Sequence, residues 1–143
     1  WNPTSLTQIR HLLPSIKIIY LHRNLADCVR SAKSIDMVRG MEEIQRFCHT
    51  WKQFSDYALQ HLKGEAVLHI QYEELVETPK KVIQQLEAFT GAKDIDRTVM
   101  QAKVNTYDND PNLAEDKYLS PSPLHIQELD LIKSYQTEEL IAP

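Results

Sequence analysis

Two side chains in this sequence have the chemistry and placement to hold an anion, and a third is placed to converge on them. Arg23 stands just past the apolar run Ile18-Ile19-Tyr20-Leu21 and ahead of a helix predicted to begin near Leu25. At such a helix start, backbone N–H groups and the helix dipole favour negative charge. Ser31 follows eight residues after Arg23, just over two turns along that helix. A guanidinium presents forked donors to phosphate oxygens and a hydroxyl adds a third, so the pair suits a phosphate. Tyr72 follows a second apolar run, Ala66 to Ile70. Ligands of an open parallel sheet bind beyond the carboxyl ends of its strands, so Arg23 and Tyr72 should converge if both runs are strands of one sheet. On spacing alone, the same residues also read as a surface Arg23 paired with Asp27 and a hydroxyl on a helix surface.

The elements that must position these groups can be read from periodicity. Thr4 or Ser5 can cap a helix running to about Leu13, with Leu6, Ile9, Leu12 and Leu13 on one face and Pro14 ending it. Lys17 to Leu21 reads as a strand whose consecutive apolar residues predict cover on both faces. A helix from Leu25 to about Ser34 follows. Met41, Ile44, Phe47, Cys48, Trp51, Phe54, Ala58, Leu59 and Leu62 then step by three and four, the stripe of a long amphipathic helix. Gly64 is placed to adopt a left-handed conformation behind it. Ala66 to Ile70 is the second strand, and Tyr72 to Val76 a turn or short helix. Thr78-Pro79 opens a helix carrying Val82, Ile83, Leu86 and Phe89, closed by Gly91. Asp96 to Lys103 is a weaker helix, Val104 to Pro123 a polar loop, and Leu124 to Tyr135 a last helix. Strands joined through helices argue for an α/β fold, a parallel sheet flanked by helices. Two strands make a small, incomplete sheet with an unprotected edge.

Composition narrows the function classes. The 143 residues are 42% hydrophobic and 25% charged, enough apolar content for one folded domain and too much for a disordered chain. The net charge of -4 is spread along the chain with Lys and Arg interspersed, so no basic face suits a nucleic-acid backbone. No apolar run nears the roughly 18 residues of a membrane span. The two cysteines, Cys28 and Cys48, lack a second ligand at metal spacing and read as small core residues, compatible with a reducing, cytoplasmic compartment.

Two blocks carry a family resemblance. Pro14 to Ser31 resembles the 3'-phosphate-binding segment of sulfotransferases that use 3'-phosphoadenosine 5'-phosphosulfate (PAPS): a strand, then Arg23-Asn-x-x-Asp27, then Ser31. Trp51 in the long helix and Val67 to Pro79, a strand leading into Tyr72-Glu-Glu-Leu and an x-Pro helix start, look like that family's second signature. The resemblance covers residues 3 to 91 and is closer to the broad bacterial and tyrosylprotein-type branch than to the cytosolic steroid and phenol enzymes. It implies a P-loop NTPase-like sulfotransferase fold and transfer of a sulfuryl group from PAPS to a hydroxyl or amine acceptor, leaving adenosine 3',5'-bisphosphate (PAP), with no metal in the chemistry. Carried over by position, it implies that Arg23 and Ser31 hold the 3'-phosphate and that Tyr72 lies beside the adenosine. Asp27 would orient Arg23 or cap the helix, and Asn105, Thr106 and Lys117 are candidates for a further contact. The cytosolic members' Arg-Lys-Gly tripeptide has no counterpart.

Sulfuryl transfer also needs a cradle of backbone amides and a Lys for the 5'-phosphosulfate. Gly40, Gly64 and Gly91 are dispersed, and no Gly-rich loop with a trailing Lys is present. In the family that loop and the acceptor-activating base precede the Arg–Ser segment, the base falling at or just before Trp1. Residues 1–143 are therefore expected to be the C-terminal portion of a single sulfotransferase domain, without a catalytic residue of its own and inactive alone. Its partners would be the nucleotide donor and an acceptor of unspecified class, with room at the sheet edge for a second copy or a complementing chain. The competing expectations are a non-catalytic nucleotide-binding or protein-interaction module that keeps the half-site, and a P-loop kinase relative. His22 is open to two readings, a contact to nucleotide or acceptor and a neutral loop residue. Glu73 and Glu74 are adjacent on a helix and point about 100° apart, so they suit a solvated face or an ion pair rather than acid–base work.

Overall fold

A computed structural model describes residues 4–93, 95–96 and 122–136. The chain gathers into two compact units, divided between Arg23 and Asn24 and again between Gln53 and Phe54.

The first unit is built on a parallel strand pair, β1 (Ile18–His22) and β2 (Val67–Gln71), with Ile18 opposite Val67 and His22 opposite Gln71. Each strand begins and ends one residue later than the apolar runs suggest. The intervening chain forms α2 (Leu25–Ser34) and α3 (Met41–His61), a helical crossover of the kind that parallel pairing demands. Helix α1 (Thr4–Leu12) and the last turns of α3 bring Leu6, Ala58 and Leu62 against Ile18, with Ile9, Ile16, Tyr20 and Val67 packed around them. Cover on both faces of β1 is not what forms. Strand alternation turns Ile18 and Tyr20 to this cluster and Ile19 and Leu21 the other way, where they remain 45% and 50% exposed. Leu12 and Leu13, expected on the apolar face of α1, are also exposed.

Beyond β2, α4 (Tyr72–Glu77) and α5 (Pro79–Thr90) follow with one residue between them. Pro79 occupies the first turn of α5, where its missing N–H costs nothing. Thr78 stands at the cap position, yet its hydroxyl donates back to the Glu74 carbonyl at 3.1 Å rather than capping α5. Gly91 ends α5 in the left-handed region at φ 76°, donating its N–H to the Glu87 carbonyl, as the glycine's position predicts. Lys17 donates to the Phe89 carbonyl and lies 5.4 Å from the Phe89 ring centre, tying the start of β1 to the end of α5.

The second unit comprises α2, α3 as far as Gln53, and α6 (Ile126–Tyr135). Leu25, Val29, Ala32, Val38, Ile44, Cys48 and Ile132 form its buried cluster, with Phe47, Trp51, Leu124, Leu131 and Tyr135 packed against it. Leu25, Val29 and Ile44 are fully enclosed, each contributing about 1.5–3 kcal/mol of transfer free energy. The stripe expected along α3 is real but narrower, since Met41 and Phe54 are exposed. Lys33 on α2 lies 2.8 Å from both carboxylate oxygens of Glu128 on α6, and the same ammonium donates to the Pro123 carbonyl at 3.0 Å. Glu128 also accepts the His125 backbone N–H at 2.7 Å, which starts α6 two residues after the sequence expectation. The helix expected over Asp96 to Lys103 and most of the loop to Pro123 lie outside the described residues.

Candidate functional site

The positions of Arg23 and Tyr72 follow from the strand register. Because β1 and β2 run parallel with His22 opposite Gln71, the next residue of each strand emerges at the same level. Those residues are Arg23 and Tyr72. The Arg23 guanidinium carbon lies 4.7 Å from the centre of the Tyr72 ring, a cation–π contact. A guanidinium carries forked N–H donors whose spacing matches two oxygens of an anionic group. Tyr72 begins α4, whose first turn also carries Glu73 and Glu74. The Glu74 carboxylate pairs with Lys81 at 3.0 Å, the ion-pair reading of that residue.

The last residue of β1 brings a titratable ring to the same strand end. His22 stacks on Tyr20 with ring centres 6.0 Å apart, and His69 meets Tyr20 edge-on at 5.5 Å. Burial and the neighbouring His69 hold the His22 imidazole below its ordinary value, against the opposing pull of Glu73 and Glu74. His22 is thus neutral at pH 7. The His69 contribution was not anticipated, although its pairing opposite Tyr20 follows from the two strands once their register is known.

Ser31 is half-buried, on the second turn of α2 in the second unit, whereas Arg23 and Tyr72 belong to the first. Asp27 does not cap α2. Its carboxylate accepts Arg30 Nη1 at 2.6 Å, three residues along the same helix, so a local partner takes the place of Arg23. The cap is Asn24, whose side-chain oxygen accepts the Ala26 N–H at 2.8 Å, a role that an Asn ahead of a helix signals directly. Asn105, Thr106 and Lys117 lie outside the described residues.

The remaining reactive types are accounted for structurally. Cys48 is enclosed in the second cluster, where burial pushes its thiol up to about 11, and Cys28 is half-buried on α2. Among the described residues there is no group of three His, Cys, Asp or Glu side chains arranged to hold a metal ion, and no helix long and apolar enough to cross a membrane.

A model of the sulfotransferase family matches residues 1–97, more than half of the chain and all of β1, β2 and the helices between them. No curated protein and no solved structure matches it.

Proposed function

From the premise that the chain belongs to the sulfotransferase family, we propose that it supplies the nucleotide end of a PAPS-dependent sulfuryl-transfer site. The observation that carries this reading is the Arg23–Tyr72 contact at the level ends of two parallel strands, inside the matched residues. Arg23 and Ser31 bind the 3'-phosphate of PAPS, and later of PAP, while Tyr72 fixes the guanidinium and borders the adenosine. Ser31 is assigned from the family motif alone. Burial of a forked Arg contact against a phosphate is charge-assisted and geometrically selective.

The transfer itself breaks the bond between sulfur and the phosphate oxygen of the donor and makes one to an acceptor hydroxyl or amine, whose proton passes to a base. None of the 143 residues forms a Gly-rich phosphate loop with a trailing Lys. Residues 1–143 are thus the C-terminal portion of the domain, binding nucleotide without turning it over alone. That same lack is what favours the second reading, a nucleotide-binding module without catalysis. The two separate when upstream sequence from the same gene is added: activity appears in the first case and not in the second.

The assignment is tested by titrating the chain with PAP and with ATP, and repeating both with Arg23→Ala. PAP should bind more tightly than ATP, and the substitution should cost about 1.5–3 kcal/mol of PAP binding. Equal affinities, or an unaffected variant, refute the 3'-phosphate site.

A further inference from the structure

Helix α6 runs along α2 in the opposite direction and is attached to it at both ends. At the last turn of α2, Lys33 Nζ meets both Glu128 carboxylate oxygens and the Pro123 carbonyl, and Ser34 Oγ accepts the Ser122 N–H at 3.0 Å. At the first turn, Gln136, the residue after α6, places its side-chain amide nitrogen 3.5 Å from Oδ1 of Asn24, the cap of α2. Between these ends the fully enclosed Ile132 packs with Leu25, Val29 and Ala32. Helix α6 lies outside the residues matched to the family model, so family membership gives it no role.

These contacts join a detachable element to the helix that carries Ser31. A helix of ten residues is marginal alone in water, so α6 keeps its structure by docking, and docking is a two-state event. The start of α2 follows Arg23 in the chain, and Ser31 is on its second turn. Lys33 and Ser31, two residues apart, project about 160° from one another around the helix. Lys33 therefore holds α2 from the side away from Ser31.

We propose that docked α6 is a positioning clamp for the nucleotide site: it holds α2, and with it Ser31, where the 3'-phosphate is received, and Lys33, Ser34 and Glu128 are its positioning residues. This rests on the nucleotide-site reading above and extends it to residues that act through α2 rather than on the ligand. Coupling is reciprocal, so docking tightens phosphate binding by the same factor that bound phosphate holds α6 in place. Substitutions in an element that carries such coupling change it roughly 2- to 30-fold.

Two measurements on the 143-residue chain test it, with adenosine 5'-phosphate (AMP), which lacks the 3'-phosphate, as the reference ligand. In the first, amide hydrogen exchange is followed with PAP and with AMP, each at the same multiple of its own dissociation constant. Stabilisation against global unfolding is then equal for the two ligands. The Leu129, Leu131 and Ile132 amides should nevertheless exchange roughly 2- to 30-fold more slowly with PAP, because only PAP carries the phosphate that the clamp serves. Equal exchange with both nucleotides overturns the proposal and needs no variant to fold. In the second, Ser34→Ala removes the Ser122 attachment without orphaning a charge, and Glu128→Gln removes the ion pair. Each should lower PAP affinity by a factor in that range and change AMP affinity by less than about twofold. A merely structural role lowers both affinities together or neither, and that result also overturns the clamp. Folded wild type that binds PAP no more tightly than AMP instead brings down the nucleotide-site reading on which the clamp rests.

Discussion

Tyr72 is where the chemistry of a single side chain can be separated from its packing. Its ring lies beneath the Arg23 guanidinium, and the residue begins a helix of only six residues with no fully buried side chain, so its contribution to the core is small. Tyr72→Leu keeps the apolar bulk and removes the π-face. Loss of a cation–π contact of about 0.5–2 kcal/mol should weaken PAP binding roughly 2- to 30-fold. The thermal midpoint should move little, and a large drop in it would mean that the ring is structural. That Arg23 meets Tyr72 could be expected once both apolar runs were read as parallel strands of one sheet, whereas Ser31 is assigned from the family motif alone. Asp27 could not be placed that way. Two arginines compete for it, and the one three residues along its own helix wins by proximity.

Among the elements, α2 and α6 are joined by the pairing of Lys33 with Glu128, which is only 7% exposed. Burial pushes the Glu128 carboxyl up, but the hydrogen bonds from Lys33 and the His125 N–H outweigh it and hold the group below its ordinary value of 4.5. The unfolded chain therefore takes up this proton first as pH falls. The stabilisation is complete above 4.5 and disappears as pH drops through the lower folded value. Urea midpoints at pH 7, 4.5 and 3 should fall across the last interval, and Glu128→Gln should flatten that fall. At pH 7 the same substitution leaves Lys33 without its counter-charge, a loss of about 3–5 kcal/mol in a buried pair. The helices were visible in advance because their apolar stripes repeat at three and four, and both strands because their apolar residues run together. The burial of β1 was not visible, since an unbroken apolar run looks the same whether one face is covered or two. The pairing of Lys33 with Glu128 was hidden as well, because 95 residues separate the partners and no local pattern announces a distant contact.

For the molecule as a whole, the first unit shows water Leu12, Leu13, Ile19 and Leu21, between 45% and 76% exposed. Ile19 and Leu21, neighbours on one face of β1, make the kind of exposed apolar surface that binds hydrophobic dyes. The native chain should enhance anilinonaphthalene sulfonate fluorescence, and the double substitution Ile19→Thr with Leu21→Thr should reduce it. Stability should change by only about 0.5 kcal/mol per site, since neither residue is buried and threonine suits a strand. Dye binding that persists unchanged would locate the sticky surface elsewhere. The match to the sulfotransferase family spans both strands and the helices joining them, so the fold class legible in the sequence is the one the coordinates display.

The level strand ends carry one more implication. Alternation along a strand has a period of two, so a single codon added to or lost from β1 or β2 would reverse which way each later side chain projects and would strand Arg23 or Tyr72 out of reach of the other. The anion cradle is thus specified by a count of residues as much as by their identity. A screen of one-residue insertions should find positions 18–22 and 67–71 intolerant for nucleotide binding, while the solvent-facing turn at Lys63 and Gly64 accepts added length.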